Sequence, residues 1–161
     1  KAPPVTRVLP PAVAYMMTNA MQAVFRYGTA SKYPEFASYA GGKTGTTNEA
    51  KDNWFCGITH DITSLVWVGT DENYAFSGQI AGNTMALPIW ARMMDRIKDH
   101  YPQAPFEVPE GVVKMRVHPL FGFEDPNGVE MPLLEGRGPQ RQESTLTIVR
   151  DTGSFRDALD W

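Results

Sequence analysis

The alternation of hydrophobic and polar residues along the chain predicts two amphipathic helices with a group of short strands between them. Pro10 and Pro11 open the first helix, because proline lacks the N–H that would be unpaired in a first turn, and Gly28 ends it. A second helical pattern runs from about Asn83 to His100, with Asn83 or Thr84 as candidate caps. The predicted inner faces are Val13, Met16, Met17, Ala20, Met21 and Val24 in the first helix, and Trp90, Met93, Met94, Ile97 and Tyr101 in the second.

The strands between the helices are short and are bounded by polar turns. They are predicted at Tyr39–Thr47, Trp54–Thr59 and Ser64–Gly69, joined by the turns Asn48–Asn53 and His60–Thr63. Tyr39–Thr47 is taken as the central strand. The nearly continuous apolar run Leu65–Val68 predicts burial on both faces of the sheet. Cys56 alternates with Trp54 and is expected to be a small core residue rather than a nucleophile.

The chain changes character after the second helix. Pro102–Pro109 is rich in proline and marks a boundary. Beyond it Val113, Met115 and Val117 alternate with polar residues, which predicts a strand, and Asp125–Gly128 predicts a turn. We therefore divide the chain into residues 1–104 and a β-rich C-terminal extension, 105–161. Within the extension, the pattern of residues 151–161 does not choose between a docked helix and disorder.

Composition narrows the class of protein. The chain has 161 residues, of which 42% are hydrophobic and 20% charged, as expected of a globular domain with a core. Its net charge of −3 argues against non-specific nucleic-acid binding. With one cysteine it can form no internal disulfide, and no pattern of metal ligands or cofactor motif is present, so no cofactor is expected. No apolar run has the length of a membrane span.

The candidate chemistry lies in the segment Tyr39–Asn48. It places one cation, Lys43, among hydroxyls at Thr44, Thr46 and Thr47. Glycines flank this group and, having no Cβ, are predicted to let the backbone approach a ligand closely; they are Gly41, Gly42 and Gly45. An ammonium beside hydroxyls and free backbone N–H groups is a receptor for an anion or a developing oxyanion.

Two motifs compete for these residues. A loose phosphate-loop pattern fits Ala37 followed by Gly42-Lys43-Thr44, and would make the chain a nucleotide binder. That loop needs a buried strand before it and a helix starting at the Lys-Thr pair. The preceding Ser31–Phe36 is polar and contains a proline, which is poor for a central strand. Lys43-Thr44-Gly45 also matches a signature of penicillin-binding proteins and β-lactamases, which needs a strand through Lys43.

Three blocks together decide between the motifs. They are Gly42–Asn48, Lys51–Gly57 and the Trp-Val-Gly strand Val66–Gly69. Over about Val8 to Val117 the chain closely resembles the transpeptidase domain of class A, bifunctional penicillin-binding proteins. This resemblance implies an α+β fold, an antiparallel sheet with helices packed on it, as in the C-terminal portion of serine β-lactamases and DD-transpeptidases. Residues 1–104 would then belong to the transpeptidase domain.

The resemblance also implies a reaction. Enzymes of this family crosslink peptidoglycan stem peptides through an acyl-serine intermediate, and β-lactams acylate the same serine. Lys43 would assist proton transfer and attract the substrate carboxylate, which the hydroxyls of Thr44 and Thr46 would also bind. The Thr46 N–H would be an oxyanion donor, and Gly45 would let the strand come near the acylated serine. Thr47 and Asn48 are further candidates for substrate binding, and together with Asp52 and Trp54 they would support the turn.

The chain departs from the family pattern at the nucleophile. It contains neither Ser-x-x-Lys nor Ser-x-Asn, and Ser31-Lys32 has the wrong spacing. We therefore expect a C-terminal piece of a larger extracytoplasmic protein, inactive alone, whose membrane anchor, glycosyltransferase domain and nucleophile lie upstream. Its expected partners are that N-terminal part, possibly as a separate chain, stem peptides and β-lactams. The alternative from another class is a non-catalytic module that binds peptidoglycan or a partner.

Overall fold

Two helices and two antiparallel sheets make up the regular structure of the chain. The computed structural model describes residues 6–72, 74–75, 81–101 and 103–139. The helices are α1 (Pro11–Tyr27) and α2 (Ala86–Ile97), and the strands are β1 (Gly41–Thr46), β2 (Asn53–Ile58), β3 (Thr63–Val68), β4 (Val112–Val117) and β5 (Val129–Leu134). The predicted α+β class, an antiparallel sheet with helices packed on it, is confirmed.

The larger sheet has the strand order β1-β2-β3, and every neighbouring pair is antiparallel. β1 therefore lies at an edge of the described sheet. The prediction that it is the central strand is wrong. The strand limits agree with the predicted ones to within two residues. The connection before β1 forms a 3₁₀ helix, Pro34–Ser38, which buries Phe36 in the core.

The hydrophobic core covers one face of this sheet. Phe55 of β2 is fully buried and contacts Trp90 of α2 and Phe25 of α1, with ring centroids 5.1 and 6.0 Å apart. Gly57, two residues along β2, leaves room for the indole, since a Cβ there would lie 2.2 Å from a Trp90 ring atom. The Trp90 Nε1–H donates to the Ser64 hydroxyl at 2.7 Å, so the buried indole keeps a polar partner.

The opposite face of the sheet is open among the described residues. Leu65 is 59% exposed and Trp67 is 45% exposed, while Cys56 on the same face is partly buried. The predictions of two-sided burial for Leu65–Val68 and of a core position for Cys56 are therefore wrong. The physical reason is that core side chains of both helices pack on the face of the sheet that carries Phe55. The apolar run alone does not show which of its two faces is covered.

The first helix ends at Gly28 as predicted, but the residues it buries differ from the predicted face. Its buried residues are Tyr15, Gln22 and Phe25, whereas Val13 and Met17 are 39% and 58% exposed. A buried glutamine is tolerated because its amide donates to the carbonyls of residues 37 and 38, each at 3.3 Å. The apolar residues of α1 surround much of the helix, so their spacing did not identify the packed side.

The second helix keeps its predicted inner face, with Trp90 and Met94 buried, although Tyr101 is exposed. Its predicted caps are wrong. The residue before Ala86 is Met85, which makes no capping bond, and the Thr84 hydroxyl instead accepts a hydrogen bond from the Ala81 N–H.

The C-terminal extension begins with the β4–β5 hairpin. The predicted turn at Asp125–Gly128 is confirmed by a 2.9 Å hydrogen bond from the Gly128 N–H to the Asp125 carbonyl. β5 packs against α1. The division at residues 104 and 105 stays a prediction, and residues 151–161 lie outside the described ranges. Neither described helix is long and apolar enough to cross a membrane.

The contact between Gly57 and Trp90 predicts a packing defect. Gly57→Ala places a methyl against the buried indole and is expected to lower the free energy of unfolding by about 1–3 kcal/mol. Urea denaturation followed by tryptophan fluorescence measures the change. Gly45→Ala in β1 is the matched control, because its nearest atom would be 3.2 Å away. Equal effects at the two positions would show that the indole contact is not the cause.

The buried phenol of Tyr39 predicts a dependence of stability on alkaline pH. Burial raises the pKa of Tyr39 to about 12 from 10.0, and the carboxylates of Asp95 and Glu35 add to the rise. Between these values the unfolded chain releases the phenolic proton while the folded chain keeps it, so the free energy of unfolding falls as the pH rises. Tyr39→Phe is expected to lose less stability between pH 10 and 12, as measured by urea titrations. Parallel curves for the two proteins would contradict this.

Candidate active site

The hydrogen-bond pattern of β1 determines which backbone groups face outward. In an antiparallel pair, residues that exchange hydrogen bonds alternate with residues that do not. The Thr47 N–H donates to the Asp52 carbonyl at 3.1 Å, and Gly45 opposite Trp54 is the next pair of the same type. Thr44 and Thr46 therefore direct their N–H and C=O groups away from β2. These groups lie along the outer edge of the described sheet.

Lys43 brings a positive charge to this edge. Its side chain starts from the open face of the sheet, because Lys43 pairs with Cys56 and alternates with Thr44. The side chain is exposed, and its Nζ donates to the outward-facing carbonyl of Thr44 at 2.6 Å. The ammonium thus lies beside the backbone groups that β2 does not use.

Two hydroxyls reach the same edge from the other face. The Thr44 Oγ1 lies 3.0 Å from the Thr29 Oγ1 and either can donate, while the Thr46 Oγ1 accepts a 3.1 Å hydrogen bond from the Gly82 N–H. Thr46 is exposed and Thr44 is partly buried. Lys43, Thr44 and Thr46 therefore converge on one edge, as a receptor for an anion requires.

The three glycines of the block have different surroundings. Gly41 and Gly42 are buried, and a Cβ on them would lie 2.9 Å from the Met21 Cβ and 2.4 Å from the Phe55 ring, respectively. Their small size serves packing within the protein, contrary to the prediction that they leave room for a ligand. Gly45 lies between the two outward-facing threonines, and a Cβ on it would lie 3.2 Å from the Trp54 Cβ on the open face of the sheet.

Comparison with known proteins identifies the family. No family model matches the chain. Penicillin-binding protein 1A of Pseudomonas aeruginosa is 38% identical over 124 residues, which cover 74% of the chain and 15% of that protein. The Aquifex aeolicus protein of the same name is 31% identical over 150 residues, covering 91% of the chain and 21% of that protein. The chain belongs to the class A penicillin-binding proteins.

A solved structure agrees with this assignment. The crystal structure of penicillin-binding protein 1A from Haemophilus influenzae superposes with a TM-score of 0.74 at 26% identity, covering 84% of the chain and 22% of that protein. The chain therefore spans about a fifth or less of the length of these relatives. It corresponds to a part of the transpeptidase region of a penicillin-binding protein.

The turn after β1 explains several other residues of the penicillin-binding-protein block. The Thr47 hydroxyl donates to the Asp52 Oδ2 at 3.2 Å and accepts from the Asp52 N–H at 2.9 Å. The Trp67 Nε1–H donates to the other carboxylate oxygen at 2.9 Å, and the Trp54 ring contacts Trp67 with centroids 6.0 Å apart and planes tilted by 41°. Asn48 opens the short 3₁₀ turn that follows and is exposed. Thr47 and Asp52 thus hold the turn that fixes the register of β1 and β2.

The phosphate-loop interpretation of the sequence has a clear outcome. Lys43 is the third residue of β1, so the helix that a phosphate loop starts at the Lys-Thr pair does not form, and that interpretation is wrong. His60 is exposed in the β2–β3 hairpin loop, and its hydrogen bond to the Asp61 carboxylate raises the pKa of its imidazole. Within the described ranges, no group of three or more acidic, histidine or cysteine side chains could hold a metal.

Two contacts of the site were missed by the sequence analysis. Thr29 and Gly82 are separated from their threonine partners by 15 and 36 residues, respectively. Neither residue belongs to a motif of the sequence. No spacing rule connects them to the Lys-Thr-Gly block, because the contacts depend on where α1 ends and on where the segment before α2 crosses the sheet.

The network around Asp52 predicts a local loss of order. Asp52→Ala removes the acceptor for both Trp67 and Thr47 and is expected to cost about 1–3 kcal/mol of stability. It should also speed amide hydrogen exchange at Thr47, whose N–H bonds the carbonyl of residue 52. Asp61→Ala, in the other hairpin, is the control with the same change of charge. If the amide hydrogen of Thr47 exchanges at the same rate in both variants, the network does not hold the turn.

Proposed function

We propose that this chain supplies the Lys-Thr-Gly edge of a serine DD-transpeptidase that crosslinks peptidoglycan stem peptides. The observation that supports the proposal is the convergence of three kinds of group on the β1 edge. They are the Lys43 ammonium, the hydroxyls of Thr44 and Thr46, and the outward-directed N–H of Thr46. The substrate is a stem peptide ending in D-Ala-D-Ala, and β-lactams occupy the same place.

The Thr46 N–H serves as an oxyanion donor. When a serine attacks the carbonyl of the penultimate alanine, negative charge develops on that carbonyl oxygen. A backbone N–H held in a strand is aimed in advance and needs no reorganisation during the reaction. Loss of one such donor typically lowers kcat by about a hundredfold to a thousandfold. Gly45, next to Thr46, has no Cβ, and we assign to it the close approach of the strand to the acylated serine.

Lys43, Thr44 and Thr46 recognise the terminal carboxylate of the substrate. Hydrogen bonds between charged partners are shorter and stronger than those between neutral ones, so an ammonium and two hydroxyls suit a carboxylate. Lys43 also takes part in proton transfer to and from the attacking serine. Thr47 and Asn48 act indirectly, because Thr47 stabilises the turn that sets the register and Asn48 begins it.

The nucleophile is assigned to the upstream part of the same protein, as one chain or as two. The sequence contains neither Ser-x-x-Lys nor Ser-x-Asn, and the chain spans 15% of the Pseudomonas relative. The open β1 edge and the exposed Leu65 and Trp67 offer a surface on which that part can pack. We assign the assembled protein to the extracytoplasmic side of the membrane, with its anchor in the upstream part.

The proposal predicts how acylation responds to changes at the edge. In the full-length protein, Lys43→Ala is expected to slow labelling by a fluorescent penicillin by about a hundredfold or more, because a positioned proton-transfer group is lost. Gel fluorescence over time gives the rate. Thr63→Val, an exposed threonine at the start of β3, is the control and should leave the rate unchanged. The isolated chain should not be labelled.

Three outcomes would count against the proposal. Labelling of the isolated chain would place a nucleophile within it. An unchanged rate for Lys43→Ala would remove the edge from the reaction. Binding of the chain to purified peptidoglycan, together with no acylation of the full-length protein, would favour the non-catalytic binding module instead.

A further inference from the structure

We infer that Gly82 is a positioning residue that holds the Thr46 hydroxyl as a hydrogen-bond donor toward the carboxylate of the ligand. Gly82 lies in the segment before α2, 36 residues after Thr46. The inference rests on the proposed function and assigns to it a residue outside the Lys-Thr-Gly block.

The direction of the Gly82–Thr46 hydrogen bond is certain because a backbone N–H can only donate. The Gly82 N–H lies 3.1 Å from the Thr46 Oγ1, so that oxygen is the acceptor. A hydroxyl carries one hydrogen, which must then point to another acceptor. Among the described residues, the Thr46 hydroxyl has no second partner. Its hydrogen is therefore available at the β1 edge, where an anion would be received.

Only glycine fits where Gly82 crosses the sheet. Gly82 is buried against the backbone of the paired residues Gly45 and Trp54. A Cβ would lie 2.5 Å from the Trp54 carbonyl oxygen and 2.8 Å from that of Gly45. Both are backbone atoms of a hydrogen-bonded pair of strands, which cannot move aside as a flexible side chain can. Any larger residue must lift this segment from the sheet and lengthen the bond to Thr46.

The same residue is anchored to α2. The Gly82 carbonyl accepts a 2.9 Å hydrogen bond from the Leu87 N–H in the first turn of α2, and Leu87 is buried. Thr84 closes the preceding turn, since its hydroxyl accepts from the Ala81 N–H at 3.0 Å and its own N–H donates to the Ala81 carbonyl at 2.9 Å. Gly82 therefore connects a helix fixed in the core to a hydroxyl at the site.

Loss of this connection should affect one class of ligand more than another. When the bond from the Gly82 N–H is lost, the Thr46 hydroxyl can rotate and bond water. The hydroxyl must then be oriented anew each time a carboxylate binds. A ligand whose carboxylate is masked as an ester does not need this donor in the same way. The expected signature is a defect that depends on the ligand's charge.

The test is a double-mutant cycle in the full-length protein. Second-order acylation rates are measured for a β-lactam with a free carboxylate and for its methyl ester. Gly82→Ala is expected to slow the acid by about tenfold, the size of one hydrogen bond to a charged group, and the ester by less than twofold. In a Thr46→Val background, Gly82→Ala should change the rate for the acid by less than twofold. In a Thr46→Ser background, which keeps the hydroxyl, Gly82→Ala should again slow the acid more than the ester.

A matched control separates positioning from a general loss of stability. Gly57→Ala also places a methyl against packed atoms, but in the core beneath Trp90, and should slow the acid and the ester alike. Should Gly82→Ala fail to fold in a thermal melt, Thr84→Val replaces it. This variant removes the hydroxyl that closes the 81–84 turn and should slow the acid more than the ester.

The outcomes distinguish this inference from the function on which it rests. If Gly82→Ala, or Thr84→Val in its place, slows the acid and the ester equally, or slows the Thr46→Val protein as much as the unmodified one, the positioning role is overturned. The proposed function survives that result when Thr46→Val slows acylation by the acid more than by the ester and Lys43→Ala slows acylation by both. If neither of those two variants slows it, the proposed function itself fails.

Discussion

The alternation of hydrogen bonds along β1 is the constraint on which the candidate site depends. Every second residue turns its backbone toward β2, and the others turn it outward. The bond between Thr47 and Asp52 decides which residues belong to each set. A slip of one residue would turn the Thr46 N–H inward and exchange the two faces of the strand. The carboxylate of Asp52, which also binds Trp67, therefore controls the chemistry of an edge that it does not touch.

Elements with a regular period and a clear end could be predicted from the sequence. Gly28 ends α1, the inner face of α2 carries Trp90 and Met94, and the three strands of the larger sheet lie within two residues of their predicted limits. The failures share one cause. The sequence shows that Met17 and Leu65 are apolar, but which face of a helix or sheet is buried depends on segments distant in the chain. A pattern within one element carries no information about those segments.

The same distinction separates the parts of the site. The residues from Lys43 to Thr46 are contiguous, so their chemistry was visible in the sequence. Thr29 and Gly82 join them only through the path of the folded chain. The glycines show a subtler limit. The sequence reveals that Gly42 and Gly45 lack side chains, but only the structure shows that the Phe55 ring occupies the space beside Gly42 and that Trp54 lies beside Gly45.

The bond between Gly82 and Thr46 also sets an order of events during protein synthesis. A ribosome adds Thr46 to the growing polypeptide 36 residues before Gly82, which at about 5–20 residues per second is an interval of about two to seven seconds. During that interval β1 can pair with β2, and β2 with β3, but the Thr46 hydroxyl has no fixed orientation. The orientation of the Thr46 hydroxyl is therefore fixed last, when the segment with Gly82 and α2 has been synthesised and α2 docks on the sheet.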